Sequence, residues 1–100
     1  MPEWTFLTNH GLVLSYMAQH PRITARELGD AIGITERATR KIIADLSEAG
    51  YIIKKREGRR NRYRVNAVLS LRHHTQQEAA IGDLLQVLGW KRRGQWRKTG

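Results

Sequence analysis

A hundred residues supply one domain and not two independent ones, and with 40% apolar residues the chain can bury a modest core rather than remain disordered. Eighteen Lys and Arg against nine Asp and Glu give a formal charge of +9, which points to polyanionic partners and says little about fold. The absence of cysteine excludes disulfides, Cys-based zinc sites and a thiol nucleophile.

The opening "MPEWTFLTNHG" carries an acid and no long apolar region, so no signal peptide is expected. Behind Thr8 or Asn9, either of which can cap, Leu12, Val13, Tyr16 and Met17 recur at helical spacing until Pro21 stops the run after His20. In "ITARELGDAIG", Thr24 and Glu27 form a capping box, Ile23 and Leu28 sit where a hydrophobic staple closes, and Gly33 ends a short second helix. Thr35 caps a third helix, over about 35–49, with Thr39, Ile42, Ile43 and Leu46 inward and Gly50 as its stop.

After Gly50 the period changes. "YIIKKR" and "RYRV" flank "EGRRN", a turn carrying Gly58 and Asn61, and together predict a β-hairpin over about 51–65. Tyr63 and Val65 then point to one side, Arg62 and Arg64 to the other. Asn66–His74 shows no period. Thr75 and Glu78 repeat the capping-box pattern ahead of Ile81, Leu84, Leu85 and Leu88, with Gly89 as a stop, so a fourth helix is expected. "WKRRGQWRKTG" has five basic residues and no acid, the composition of a basic flexible tail. The expected organisation is a helix-and-hairpin domain over 1–66, a connector and C-terminal helix over 67–89, and the tail over 90–100. No segment approaches the roughly 18 apolar residues of a membrane span, no membrane partner is expected, and a cytoplasmic protein is.

Helix, helix-turn-helix, then a hairpin with a basic tip is an order with a known use. The string "TARELGDAIGITERATRKIIADLSEAGYIIKKREGRRNRYRV", with Leu28, Gly33, Ile34, Leu46 and Gly50 in place, resembles the winged helix-turn-helix transcriptional regulators of the MarR/ArsR type. The resemblance implies a mainly α fold with a small β-hairpin, double-stranded DNA as partner, and a homodimer built on terminal helices.

The residues support this reading independently. Arg37, Arg40 and Lys41 are three and four apart and share a face, opposite the inward seam. Thr35 and Glu36 stand at the helix start, where recognition helices address base edges in the major groove. Arg can pair with guanine; Glu36 either accepts from cytosine or orients Arg37 or Arg40. Arg59 and Arg60 at the wing turn are expected in a minor groove, with Lys54, Lys55 and Arg62 on phosphates. A two-fold dimer would spread recognition helices one DNA turn apart, and Ile81, Leu84, Leu85 and Leu88 are its expected interface, although the same stripe could cap the chain's own core. Trp4 and Phe6 are expected against that helix or inside the core.

His73 and His74 invite a metal, but adjacent residues suit one ligand cluster poorly and no cysteine supports them; no metal or cofactor is expected. No phosphate loop, carboxylate pair or nucleophile constellation points to an enzyme. The rival reading is a winged-helix module gripping an acidic protein or RNA within a larger assembly.

Overall fold

The first helix begins where a hydroxyl can replace a missing carbonyl: Thr8 Oγ1 accepts from the Gly11 amide at 3.2 Å, so Thr8 is the cap. The structure, a computed structural model, describes residues 4–91. In chain order it comprises α1 (Asn9–Gln19), α2 (Ala25–Ile32), α3 (Glu36–Glu48), β1 (Ile52–Glu57), β2 (Arg60–Val65), a 3-10 turn (His74–Gln76) and α4 (Ile81–Val87). None of these helices is long and apolar enough to cross a membrane.

The buried stripe of α1 is Val13, Leu14 and Met17, one step round from the expected one. Leu12 is only half-buried, and Tyr16 lies at the surface with its ring stacked on His20 at 4.3 Å. Both halves of the expected capping box of α2 are made: the Glu27 amide donates to Thr24 Oγ1 at 3.1 Å, and the Thr24 amide to Glu27 Oε1 at 3.0 Å. Gly33 then takes a left-handed conformation, φ 93°, that other residues adopt only under strain, and its amide and that of Ile34 both close on the Gly29 carbonyl. Thr35 caps α3, accepting from the Ala38 amide at 3.0 Å.

The two helices meet closely at Gly29. A Cβ there would stand 2.8 Å from the Ile34 carbonyl oxygen and 2.8 Å from Thr39 Oγ1. Thr39 is wholly buried yet satisfied, because its hydroxyl donates to the Thr35 carbonyl one turn earlier. Around this contact Val13, Met17, Leu28, Ile42, Leu46, Ile52, Tyr63 and Val65 form one core.

β1 and β2 pair antiparallel through a two-residue turn, Gly58–Arg59, with Ile52 opposite Val65 and Glu57 opposite Arg60. Asn61, expected in the turn, therefore lies in β2 opposite Arg56. The far edge of β2 is held by the link between α1 and α2, since the Tyr63 amide donates to the Pro21 carbonyl at 2.8 Å. Side chains complete the attachment. Arg22 binds Glu57 at 2.6 Å, and Arg60 donates to the Arg22 carbonyl at 2.8 Å while lying 3.4 Å from Glu27.

The second capping-box pattern does not start a helix. Thr75 lies in the 3-10 turn, its hydroxyl 2.8 Å from His73 Nδ1, and α4 begins at Ile81 behind Ala80 with no side-chain cap. Longer-range pairing decides this: Ser70 bridges Ala80, and the amides of Leu71, Ile81 and Gly82 bond the carbonyls of Ala79, Leu69 and Ala67. Residues 72–79 are thereby looped out of any α-helix. Tyr51 anchors the connector by donating its hydroxyl to the Ser70 carbonyl.

Ile81 and Leu85 are 6% and 1% exposed, packed in this chain's own core. Each such burial is worth about 1.5–3 kcal/mol, so neither remains for a second copy, and that part of the expected interface is corrected. Leu84 is half-buried, and Leu88 is 39% exposed. Trp90, expected in the tail, packs against the core, its amide on the Leu85 carbonyl; the rest of the tail, 92–100, lies outside the described residues. Trp4 and Phe6 are neither in the core nor on α4: they are 67% and 93% exposed and meet edge to face at 5.1 Å.

Two outcomes follow from this packing. Gly29→Ala gains about 1 kcal/mol of helix propensity but overpacks a backbone oxygen and a buried hydroxyl, at about 1–3 kcal/mol. The net loss, up to about 2 kcal/mol, should lower the melting midpoint by about 4–8 °C for each kcal/mol; a rise would show that the approach of α2 to α3 is not tight.

The second concerns acid. Glu27 is held below the ordinary carboxylate range by the Thr24 amide and then Arg60, Glu57 by Arg22, and Asp45 by its bond to His10. Depressed carboxylates contribute fully above their unfolded values, near 4, and lose that contribution as pH falls through the lower folded values. The melting midpoint should therefore drop on acidification below about pH 4.5. Glu27→Gln with Glu57→Gln should flatten that drop; a curve parallel to the wild type would show that these tethers contribute nothing.

Candidate nucleic-acid interface

With 100° per residue, the buried positions Thr39, Ile42, Ile43 and Leu46 of α3 set the direction of the core, and Arg37, Ala44 and Glu48 project directly away from it. Arg40 flanks that line on the side of the wing, Lys41 on the side of α1. The exposed face is graded along its length. Its N-terminal half carries Arg37, Arg40 and Lys41, whereas its C-terminal half carries the small Ala44 and the acid Glu48.

Each of these side chains is in a definite state. Thr35 is engaged as the cap. Glu36 Oε2 accepts from both Nε and Nη2 of Arg40, at 3.2 and 2.6 Å. Of the roles open to Glu36, this geometry is the pairing with Arg40. The side-on edge of that guanidinium is occupied, and Nη1 has no partner among the described residues. Lys41 lies 3.6 Å from Asp45, which also binds His10 at 2.8 Å. Arg37 is exposed and has no side-chain partner among the described residues.

The hairpin has two faces of different use. Ile52, Lys54 and Arg56 share one face with Val65, Tyr63 and Asn61. Lys54, Asn61 and Tyr63 oppose Arg40, Ser47 and Glu48 across a cleft of about 520 Å³. Lys55 and Arg62, expected like Lys54 on phosphates, stand opposite each other on the other face. Arg59 occupies the turn itself, exposed and without a partner among the described residues. Arg60 does not share the tip: it is the first residue of β2 and is turned back onto Glu27 and the Arg22 carbonyl.

Three participants were not singled out by sequence reasoning. Arg22 and Glu57 fix the wing, and Asn61 lines the cleft with an amide suited to adenine. Only the turn-like character of Asn61 was legible locally, and it suggested the wrong place. Away from this surface, His73 and His74 stack at 4.4 Å, and among the described residues no three His, Cys, Asp or Glu stand together to hold a metal ion.

Residues 7–53 match the family model described as winged helix-turn-helix DNA-binding, a span running from before α1 into the start of β1. No curated protein matches the chain. The return strand β2 lies beyond the matched span and completes the hairpin that gives the fold its wing. The described residues form a winged helix-turn-helix.

Proposed function

We propose that this chain is a sequence-specific, double-stranded-DNA-binding transcriptional regulator of the MarR/ArsR-like type, acting as a homodimer in the cytoplasm. The observation that carries the reading is the exposed, cationic N-terminal half of α3, in the second helix of a helix-turn-helix, beside a wing with a free arginine at its tip. A major groove about 12 Å wide admits α3, with Arg37 and the end-on edge of Arg40 toward base edges. Arg59 then reaches the neighbouring minor groove and Lys54 the intervening phosphates. In the dimer, the partner copy covers Leu88 and Val87, which is 82% exposed, with Leu84 at the margin.

Glu36 supports a reading function over simple adhesion. A surface that merely holds phosphate is weakened by an acid, while a carboxylate that fixes the azimuth of Arg40 sharpens guanine recognition, worth about 1–3 kcal/mol per bidentate pair.

Selection of random duplexes by the purified protein near physiological salt tests the proposal. An inverted repeat with half-site centres about 34 Å apart is expected. Arg37→Ala and Glu36→Gln should each relax base preference at particular positions, whereas Lys54→Ala should weaken all sequences alike and lower the salt slope by about one. The proposal is falsified if no duplex is retained better than bulk DNA; binding that simply vanishes with salt would instead favour a module for an acidic protein or RNA.

A further inference from the structure

The outer face of the wing carries charge that the DNA reading does not use. The register sets Lys55 directly opposite Arg62, a pairing of like charges that destabilises an antiparallel ladder unless an anion compensates. These two line a groove of about 540 Å³ between the wing, the C-terminal end of α1 and the segment after α4, and Lys91 lines it too. The carboxylate in its lining is Glu57, already bound to Arg22 at 2.6 Å and only 3.6 Å from Arg62. The lining therefore retains an excess of positive charge. The half-buried Trp90 adds apolar surface to the same groove.

We propose that this groove is a second anion site, taking a phosphorylated small molecule that carries a flat ring, of nucleotide type. Its phosphate sits between Lys55 and Arg62 and relieves their repulsion, and its ring lies against Trp90. The volume falls in the range of small-molecule sites. Lys54 lines the α3 cleft and Lys55 lines this groove, and the two linings share only Tyr63, so a duplex seated on α3 and a ligand here meet different charged residues of the hairpin. The assignment stands whether or not the chain reads DNA.

Adjacent lysines on opposite faces provide the test. AMP is titrated calorimetrically into the full-length chain and into its Lys54→Gln and Lys55→Gln variants near physiological salt, with melting midpoints recorded to confirm folding. Lys55→Gln should weaken AMP binding by about tenfold, the loss of one charge-assisted phosphate contact. Lys54→Gln, on the opposite face, should change it by less than about twofold. Equal losses in the two variants would reduce the effect to general charge attraction and overturn the site. So would the absence of AMP binding, including the case in which a short duplex alone binds through Lys55.

Discussion

The close approach of α2 to α3 at Gly29 is the constraint on which the remaining geometry rests. Only hydrogen fits between that Cα and the pair formed by the Ile34 carbonyl and Thr39 Oγ1. The same pocket demands a small, internally satisfied polar residue from α3, and Thr39 meets that demand by donating to Thr35. Because Thr35 is also the cap of α3, one cluster sets where α3 starts, how closely it crosses α2, and the phase of its helix. The phase places Ile42, Ile43 and Leu46 inward, and so turns Arg37 outward.

Local chemistry made most of this legible in advance. The Thr24–Glu27 box, the Thr35 cap, the left-handed Gly33 and the inward seam of α3 are all encoded within four residues of where they act, and each appears as the pattern requires. The identical pattern at Thr75 and Glu78 failed for a reason outside its window. A cap is worth about 1 kcal/mol, whereas starting at Ile81 lets the backbone pair with 67–71 and buries Ile81 and Leu85. The stripe of α4 was legible as apolar, but whether a second copy or the chain's own core covers it was not, since periodicity reports that a face is covered and not by what; for Ile81 and Leu85 it is the core.

The wing exposes the complementary limit. Its strands were evident from alternation, but its attachment joins Arg22 to Glu57 and Arg60 to Glu27, partners 35 and 33 residues apart. No local pattern announces such pairs. Arg60 consequently passed for a groove-seeking tip residue, while it belongs to the joint between wing and helix-turn-helix. Strand alternation separates Lys54 from Lys55, and the register of the two-residue turn sets Arg62 opposite Lys55, a pairing that a count of basic residues conceals.

The acids, outnumbered two to one, thus determine what the cations do. Guanidinium forks paired at 2.6 Å, Arg40 on Glu36 and Arg22 on Glu57, have their planes fixed before any partner arrives. Lysine, a rotatable point charge, gains less from such pairing, and Lys41 approaches Asp45 only to 3.6 Å. A single exposed pair adds only a little to stability, and what the Glu36 pair changes most is the orientation of Arg40. A fixed guanidinium edge can discriminate between bases, whereas a free lysine follows phosphate wherever the backbone runs. On α3 the two kinds stand side by side: Arg40, whose plane Glu36 fixes at 2.6 Å, and Lys41, which Asp45 approaches only to 3.6 Å, so one exposed surface offers both a preset edge and a rotatable charge.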